Sequence, residues 1–324
     1  MSRRAIQLRV SITLLGVLFW WIGIERLIAE AMAIRPQFAL LALGMLLVQN
    51  DLTTRRWAAV LRAFEEPPGH LRMLRIQYMA LFTQLFLPSS IGGAAVRVGV
   101  LLRSGYRFGV ALNSVLIDRV VALGGLVLIA TAFLPAIASS VRMEGDTGPF
   151  VAIAAALACI GCAIGAAIWW RPLSFWIGLI RRTPLRSLAE PLARAVPELI
   201  RPRTIIGAFA YSLGGQLAAI FAIFVLAMGK GLSVGLLDCI LVMPPVMLLS
   251  ALPISIAGWG VREGAMVIAF GLLGVAPGAA LMLSVEFAII GHLATTPGAI
   301  AWLMEVDRGA YGKMARSLNE PTRR

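Results

Sequence analysis

Long apolar blocks, each at least the length of a membrane-spanning helix, follow one another along nearly the whole chain. They cover residues 10–28, 38–57, 76–102, 110–138, 149–170, 205–228, 234–275 and 277–304. Because about 20 helical residues cross the hydrocarbon core of a bilayer, these blocks predict about six to eight transmembrane helices. None shows the alternating apolar pattern of barrel strands, so the predicted fold class is an all-α, polytopic helical membrane protein.

Composition excludes a soluble enzyme. Of the 324 residues, 59% are hydrophobic and only 14% are charged, whereas a soluble domain carries about 25% charged residues. Residues 1–324 are therefore predicted to form a single transmembrane domain, with no length left over for a soluble one. We expect no enzyme activity, no cofactor and no metal site, and we expect membrane lipids as partners.

The basic residues predict the orientation in the membrane. Of the 29 Lys and Arg residues, 22 lie in the connections 1–9, 55–75, 103–107, 171–203 and 305–324. An excess of Lys and Arg marks the cytoplasmic side, so both termini are predicted to be cytoplasmic. In a chain this apolar, the net charge of +13 indicates anionic lipid surfaces rather than a nucleic acid partner. Three arginines, Arg97, Arg119 and Arg262, remain within the apolar slab.

The connection 171–203 contains seven arginines. It has two open interpretations: an amphipathic segment lying at the level of the lipid headgroups, or a solvated positive-inside loop. Both interpretations place it on the cytoplasmic side.

A short motif occurs twice within the apolar blocks. Residues 87–99 read LPSSIGGAAVRVG and residues 252–264 read LPISIAGWGVREG, with eight of thirteen positions identical. The shared residues include Pro88 and Pro253, Gly93 and Gly258, and Arg97 and Arg262. Pro removes a backbone donor and Gly permits turns, so each copy predicts a helix that ends and restarts inside the membrane.

Backbone broken at that depth needs protein or water around it, because lipid cannot satisfy the exposed polar groups. The positions of the connections place the two copies on opposite leaflets, so residues 76–138 and 234–304 are predicted to be inverted repeats. Each repeat contains either a re-entrant pair or two complete helices. Paired Gly/Pro breaks in the two halves of a transporter indicate its substrate site.

These residues resemble a known family, the flippase-like membrane proteins named after the transmembrane region of bacterial lysylphosphatidylglycerol synthase. The first signature is carried by Leu87-Pro88, Gly92-Gly93, Arg97, Arg103 and Asp118-Arg119. The second is carried by Pro253 and by Gly258-Trp259-Gly260-Val261-Arg262-Glu263. The resemblance covers nearly the whole chain, although outside the two motifs it consists of hydropathy alone.

The resemblance implies a multi-pass protein of the bacterial inner membrane that moves an anionic phospholipid or a polyprenyl-phosphate-type lipid between leaflets. Aminoacyl transfer belongs to the soluble domain of the full-length synthase, which the resemblance does not include, so that activity is not expected here. A separately encoded lipid synthase or glycosyltransferase remains open as a partner. The chain departs from the family at Glu286, where many relatives have a basic residue.

Arginine side chains suit lipid phosphate, so we predict that Arg97 and Arg262, near the N-termini of the broken half-helices, bind the phosphate together with Arg119. The alternative is that each arginine only pairs with an acid: Arg97 or Arg119 with Asp118, and Arg262 with Glu263 or Glu286. A proton- or ion-coupled transporter of a small anion would use the same breaks, with these acids as coupling sites. A subunit supporting a membrane-embedded transferase is a third possibility.

Overall fold

The computed structural model describes residues 35–84, 91–132, 186–251 and 260–302. Throughout these ranges every regular element is helical, which confirms the all-α prediction. The predicted spans at 10–28 and 149–170 and the first part of the basic connection lie outside the described residues. The described helices are α1 (Pro36–Arg62), α2 (His70–Gln84), α3 (Ile91–Arg103), α4 (Phe108–Ala132), α5 (Arg186–Leu199), α6 (Pro202–Gly229), α7 (Leu236–Ala251), α8 (Val261–Gly271) and α9 (Pro277–Thr295).

Three of these helices are long and apolar enough to cross a bilayer: α4, α6, and α9 with its continuation to Trp302. With 25 residues, α4 is about 37 Å long, which exceeds the ~30 Å of hydrocarbon in a bilayer. The apolar run of α1 is interrupted at Gln49, Asn50 and Asp51, and apolar residues return at Trp57. Together these helices confirm a polytopic membrane protein.

Each copy of the motif extends into a helix, the first into α3 and the second into α8. In the first copy α2 and α3 flank Pro88, and in the second α7 and α8 flank Pro253 and Gly258. Pro88, Pro253 and Gly258 themselves lie outside the described residues. Gly92 and Gly93 occupy the second and third positions of α3, and Gly260 is the N-cap of α8 with a φ of 85°. That φ favours glycine, since other residues are strained there.

Close packing joins α2 to α3 at Gly93. A Cβ added there would lie 2.9 Å from the carbonyl oxygen of Ala80 and would collide with the side chain of Gln84. Gly124 and Gly125 of α4 provide a similar contact with Phe209 and Ser212 of α6. Because lipid tails compete with apolar side chains, small residues that let helices approach are a major source of packing energy in membranes. Glycine therefore sets the positions of α3 and α6 against their neighbours.

The connections from α3 to α4 and from α8 to α9 have the same local structure. Gly105 and Gly274 have φ values of 94° and 79°. In each connection the residue after this glycine donates its amide to the carbonyl five residues before it: Tyr106 to Leu101, and Val275 to Phe270. In the first connection the Tyr106 hydroxyl donates to the Glu66 carbonyl at 2.6 Å. Partial burial, together with the negative charge of Glu65, raises the pKa of Tyr106.

Two apolar cores hold the described helices together. The larger surrounds α6 and includes Ile223, Met243, Met266 and Phe270 from α6, α7 and α8, with contributions from α1 and α9. The smaller joins the end of α1 to α2, α3 and α4 around Trp57 and Leu101. The charged residues predicted from the duplicated motif lie beside these two cores.

The described part of the basic connection forms α5. It contains Pro191 and Pro197, buries Ala195 and carries an exposed ion pair between Arg194 and Glu190 at 2.5 Å. Helix α5 therefore has an inner apolar contact and an outer charged face, as the amphipathic interpretation requires. Its location at the lipid headgroups stays a prediction.

Candidate headgroup-binding site

Three charged side chains from three helices meet between α1, α3 and α4; we call Arg56, Arg97 and Asp118 the first cluster. Arg56 Nε donates to Asp118 Oδ1 at 2.7 Å, and Arg97 Nη1 donates to Asp118 Oδ2 at 2.9 Å. The three side chains are 7%, 10% and 2% exposed. Asp118 is the eleventh residue of α4 and lies about 15 Å along its axis. The first cluster is therefore buried well inside the helix bundle.

Neighbouring groups hold the two arginines in place. Arg56 Nη1 donates to Ser212 Oγ at 3.4 Å, and that hydroxyl donates to the Val121 carbonyl at 3.2 Å, which adds α6 to the cluster. The guanidinium carbon of Arg97 lies 5.0 Å from the centroid of the Trp57 ring, within the range of a cation–π interaction. Trp57 Nε1 in turn donates to Ser114 Oγ at 3.4 Å.

The charges of the first cluster do not cancel. Two guanidinium groups share one carboxylate, so these three side chains carry one positive charge in excess. Arg119, the next residue of α4, is half-buried and engages in interactions of its own; its positive charge also acts on Arg97. An excess of buried positive charge in an apolar membrane protein is costly and attracts an anion.

Arg56 corrects the sequence analysis, which assigned it to the cytoplasmic connection 55–75. Its neighbour Arg55 is 48% exposed and pairs with Asp51 at 2.6 Å, as a surface arginine does. Arg56, by contrast, faces into the bundle one turn before the buried Val60. The arginine doublet resembles a positive-inside signal, and only its helical position distinguishes the two residues. Four arginines, rather than three, therefore lie within the apolar region.

The second copy of the motif forms its own polar group, which we call the second cluster: Arg262, Glu263 and Ser284. Arg262 Nη2 donates to Glu263 Oε1 at 2.6 Å, and the Ser284 hydroxyl donates to the same oxygen at 3.3 Å. The other oxygen, Oε2, accepts the Gly260 amide at 2.6 Å. Glu263 is fully buried and Arg262 is 17% exposed. Here one arginine meets one carboxylate, so the two charges cancel.

The two motif arginines differ in their position on the helix. Arg262 is the second residue of α8, as predicted for an arginine at a helix N-terminus. Arg97 is the seventh residue of α3, beyond the first turn whose amides lack partners within the helix. The prediction that both arginines sit near N-termini is therefore correct for Arg262 and wrong for Arg97. Free helix amides are therefore not available as anion donors beside Arg97. The neighbouring donor there is the second guanidinium, that of Arg56.

Glu286 lies in a separate buried ion pair. Lys230 Nζ donates to Glu286 Oε1 at 2.8 Å, and the two side chains are 2% and 3% exposed. Lys230 directly follows α6 and Glu286 is in the middle of α9, so the pair links the two helices. Arg262 was predicted to pair with Glu263 or Glu286, and the structure places Glu263 against it.

Among the described residues, no group of His, Cys, Asp and Glu side chains has an arrangement that would hold a metal ion. The charged groups of both clusters instead use arginine, whose guanidinium matches the oxygens of a phosphate. The described side chains therefore suit recognition of an anion.

Comparison with known proteins places the chain in a family. The family model described as the lysylphosphatidylglycerol synthase TM region matches residues 5–298. This match includes both copies of the motif, both clusters and the Lys230–Glu286 pair. A comparison with curated proteins gives no match. The chain belongs to the family of the lysylphosphatidylglycerol synthase transmembrane region.

Proposed function

We propose that this protein moves an anionic phospholipid or a polyprenyl-phosphate-type lipid between the leaflets of a bacterial inner membrane. The observation that carries the proposal is the first cluster, in which Arg56 and Arg97 share the single carboxylate of Asp118. A lipid phosphate supplies the negative charge that this cluster lacks, and its oxygens accept hydrogen bonds from guanidinium groups. Family membership supports a lipid-related role.

Each copy of the motif contributes one step in this proposal. Arg97, with Arg119 nearby, receives the headgroup from one leaflet, and Arg262 receives it from the other. Asp118 and Glu263 act as counter-charges while no lipid is bound, so that neither arginine is left without a partner in the apolar interior. Glu286 balances Lys230 and belongs to the scaffold.

The proposed orientation keeps both termini in the cytoplasm. Moving Arg56 from the cytoplasmic count to the buried region leaves 21 of the 29 basic residues on that side. The positive-inside bias is therefore still strong. On this orientation the first cluster lies closer to the cytoplasmic end of α4, since α4 begins at Phe108 directly after Arg107.

Lipid translocation in proteoliposomes tests the proposal. The Arg97→Gln variant is compared with wild type and with Arg55→Gln, which removes an exposed arginine from the same region. Loss of one charge-assisted contact to the phosphate is worth about 1.5–3 kcal/mol, so Arg97→Gln should slow translocation by about tenfold or more. Arg55→Gln should match wild type.

Folding is checked by size-exclusion chromatography and thermal melting of each variant. A folded Arg97→Gln protein with full translocation would overturn the role of Arg97. A wild-type protein that transports a small anion but no lipid would overturn the proposed function itself.

A further inference from the structure

A cavity of about 370 Å³ lies where the end of α1 and the start of α4 meet α5. Its lining includes Phe64 and Glu65 after α1, Arg107 and Phe108 at the start of α4, and Ala195 of α5. Sites for small molecules have volumes of about 300–1,000 Å³, so a lipid headgroup fits here. None of the lining residues belongs to the first or the second cluster. The cavity is therefore a separate candidate site.

Two opposite charges at this cavity are available to a ligand. Within the described part of the chain, neither the Glu65 carboxylate nor the Arg107 guanidinium forms an ion pair or a side-chain hydrogen bond. The other two charged side chains of the lining, Glu190 and Arg194 of α5, pair with each other at 2.5 Å. The cavity thus offers one acceptor and one donor that are not used by the protein.

Tyr106 holds these two charges at the same cavity. Its hydroxyl donates to the carbonyl of Glu66 at 2.6 Å, which fastens the connection after α1 to the connection before α4. Glu65 precedes Glu66 and Arg107 follows Tyr106 in the chain. One hydrogen bond therefore fixes the backbone beside both charged side chains.

The nearby charges outside the cavity have partners of their own. Glu66 lies 3.9 Å from Arg62, and Arg72 donates to Ser104 at 3.1 Å. Neither Glu66 nor Arg72 lines the cavity. Because these side chains are exposed, salt and water weaken their effect on a ligand in the cavity. Direct contacts with Glu65 and Arg107 decide what binds.

We propose that this cavity binds a zwitterionic phospholipid, phosphatidylethanolamine, with its phosphate on Arg107 and its ammonium on Glu65. A guanidinium donates to phosphate oxygens and a carboxylate accepts from an ammonium group. A headgroup that carries only a phosphate leaves Glu65 without a counter-charge. The proposal goes beyond the proposed function, since it assigns a second lipid site that translocation through the first cluster does not require.

Apolar side chains beside these charges favour a lipid over a soluble zwitterion. Phe64 and Phe108 both line the cavity, and Phe108 is 53% exposed. On the proposed orientation, α4 enters the membrane from the cytoplasmic surface directly after Arg107. The headgroup then occupies the cavity at the level of the membrane surface, and the acyl chains lie against Phe108.

Hydrogen–deuterium exchange of the full chain in neutral detergent tests the proposal. Protection of peptides covering residues 63–66 and 107–111 reports occupancy of this cavity, as phosphatidylethanolamine or phosphatidylglycerol is added. Phosphatidylglycerol has the phosphate but no ammonium group. Wild type should need about three- to tenfold less phosphatidylethanolamine than phosphatidylglycerol for the same protection. Glu65→Gln should remove this advantage, and Arg107→Gln should weaken protection by both lipids.

Glu66→Gln is the matched control, because Glu66 is adjacent to Glu65 and 83% exposed but does not line the cavity. It should behave as wild type does. Glu65 and Arg107 are exposed as well, so their substitution should leave the fold intact, which thermal melting checks. A merely structural role of Glu65 would change the response to both lipids alike, whereas the proposal requires a change in their ratio.

Three outcomes would overturn the proposal: equal protection by the two lipids in wild type, an unchanged advantage in Glu65→Gln, or equal protection by soluble glycerophosphoethanolamine. None of them affects the proposed function, because Arg97 and Asp118 are unchanged in every variant. Absence of lipid translocation by wild type would instead contradict the proposed function and leave this cavity as a binding site.

Discussion

The two clusters arise from the same duplicated motif, yet their arginines differ in where the partner carboxylate comes from and in whether it is shared. In the first cluster, Arg97 takes its carboxylate from the neighbouring helix α4 and shares it with Arg56. In the second, Arg262 takes its carboxylate from the next residue of its own helix, Glu263, and this ion pair contains one arginine. The two copies of the motif therefore share an arginine but differ in the number of arginines per carboxylate, which is two in the first cluster and one in the second.

The two carboxylates also differ in whether they cap a helix end. Glu263 accepts the amide of Gly260, so its carboxylate caps α8 and compensates Arg262 at the same time. Asp118 has two arginine donors and lies in the interior of α4, where no helix end needs a cap. The second cluster therefore also holds α8 and α9 together, through the bond from Ser284 to Glu263, whereas the three side chains of the first cluster join three helices and carry one positive charge in excess.

Breaking the Lys230–Glu286 pair should give the largest loss of stability, because both of its side chains are almost fully buried. Lys230→Met should lower the free energy of unfolding by about 3–5 kcal/mol, because it leaves a buried carboxylate without its charged partner. Lys230→Met/Glu286→Gln should recover a large part of this loss. Thermal or denaturant unfolding in detergent measures both variants. A single variant as stable as wild type would contradict the view that this pair is part of the scaffold.

Glu263→Gln tests whether charge excess by itself creates dependence on anionic lipid. The variant leaves Arg262 without its carboxylate and should lose about 2–3 kcal/mol in neutral detergent, less than for a fully buried pair since Arg262 is partly exposed. Adding phosphatidylglycerol should restore part of the melting temperature, as the altered cluster now resembles the first. A melting temperature that lipid leaves unchanged would show that the number of arginines per carboxylate does not determine the site.

Glycine substitutions compare the packing of the two copies. Gly93→Ala should cost about 1–3 kcal/mol, because the new Cβ meets the Ala80 carbonyl and the Gln84 side chain. Gly99→Ala and Gly264→Ala, at equivalent positions of the two copies, have open space around the added Cβ and should be neutral or slightly stabilising. Thermal unfolding of the three variants measures the difference. Equal losses at all three positions would contradict the tight contact between α2 and α3.

The polar groups within the apolar region are visible in the sequence, but the predicted location of Arg56 was wrong. The pairing of Arg97 with Asp118 and of Arg262 with Glu263 was predictable, since a buried arginine in an apolar slab requires an acid. Arg56 was assigned to a cytoplasmic connection because it follows Arg55 and a run of polar residues. Its position one turn before Val60 was the available signal, whereas Arg55 follows Asp51 by one turn and faces outward. The partner of Glu286 was not predictable, because Lys230 comes from a different helix 56 residues away.

By itself, the sequence determined that this chain is a helical membrane protein and that a motif containing Pro, Gly and Arg occurs twice within its apolar blocks. These properties follow from local composition and spacing, because the bilayer requires long apolar helices and makes charged residues within them conspicuous. Only the tertiary structure decided how the charges balance. The balance depends on which helices are neighbours: α1 brings Arg56 to Asp118, and α6 brings Lys230 to Glu286. Contacts between distant segments are set by packing and are not encoded in the spacing of any one segment.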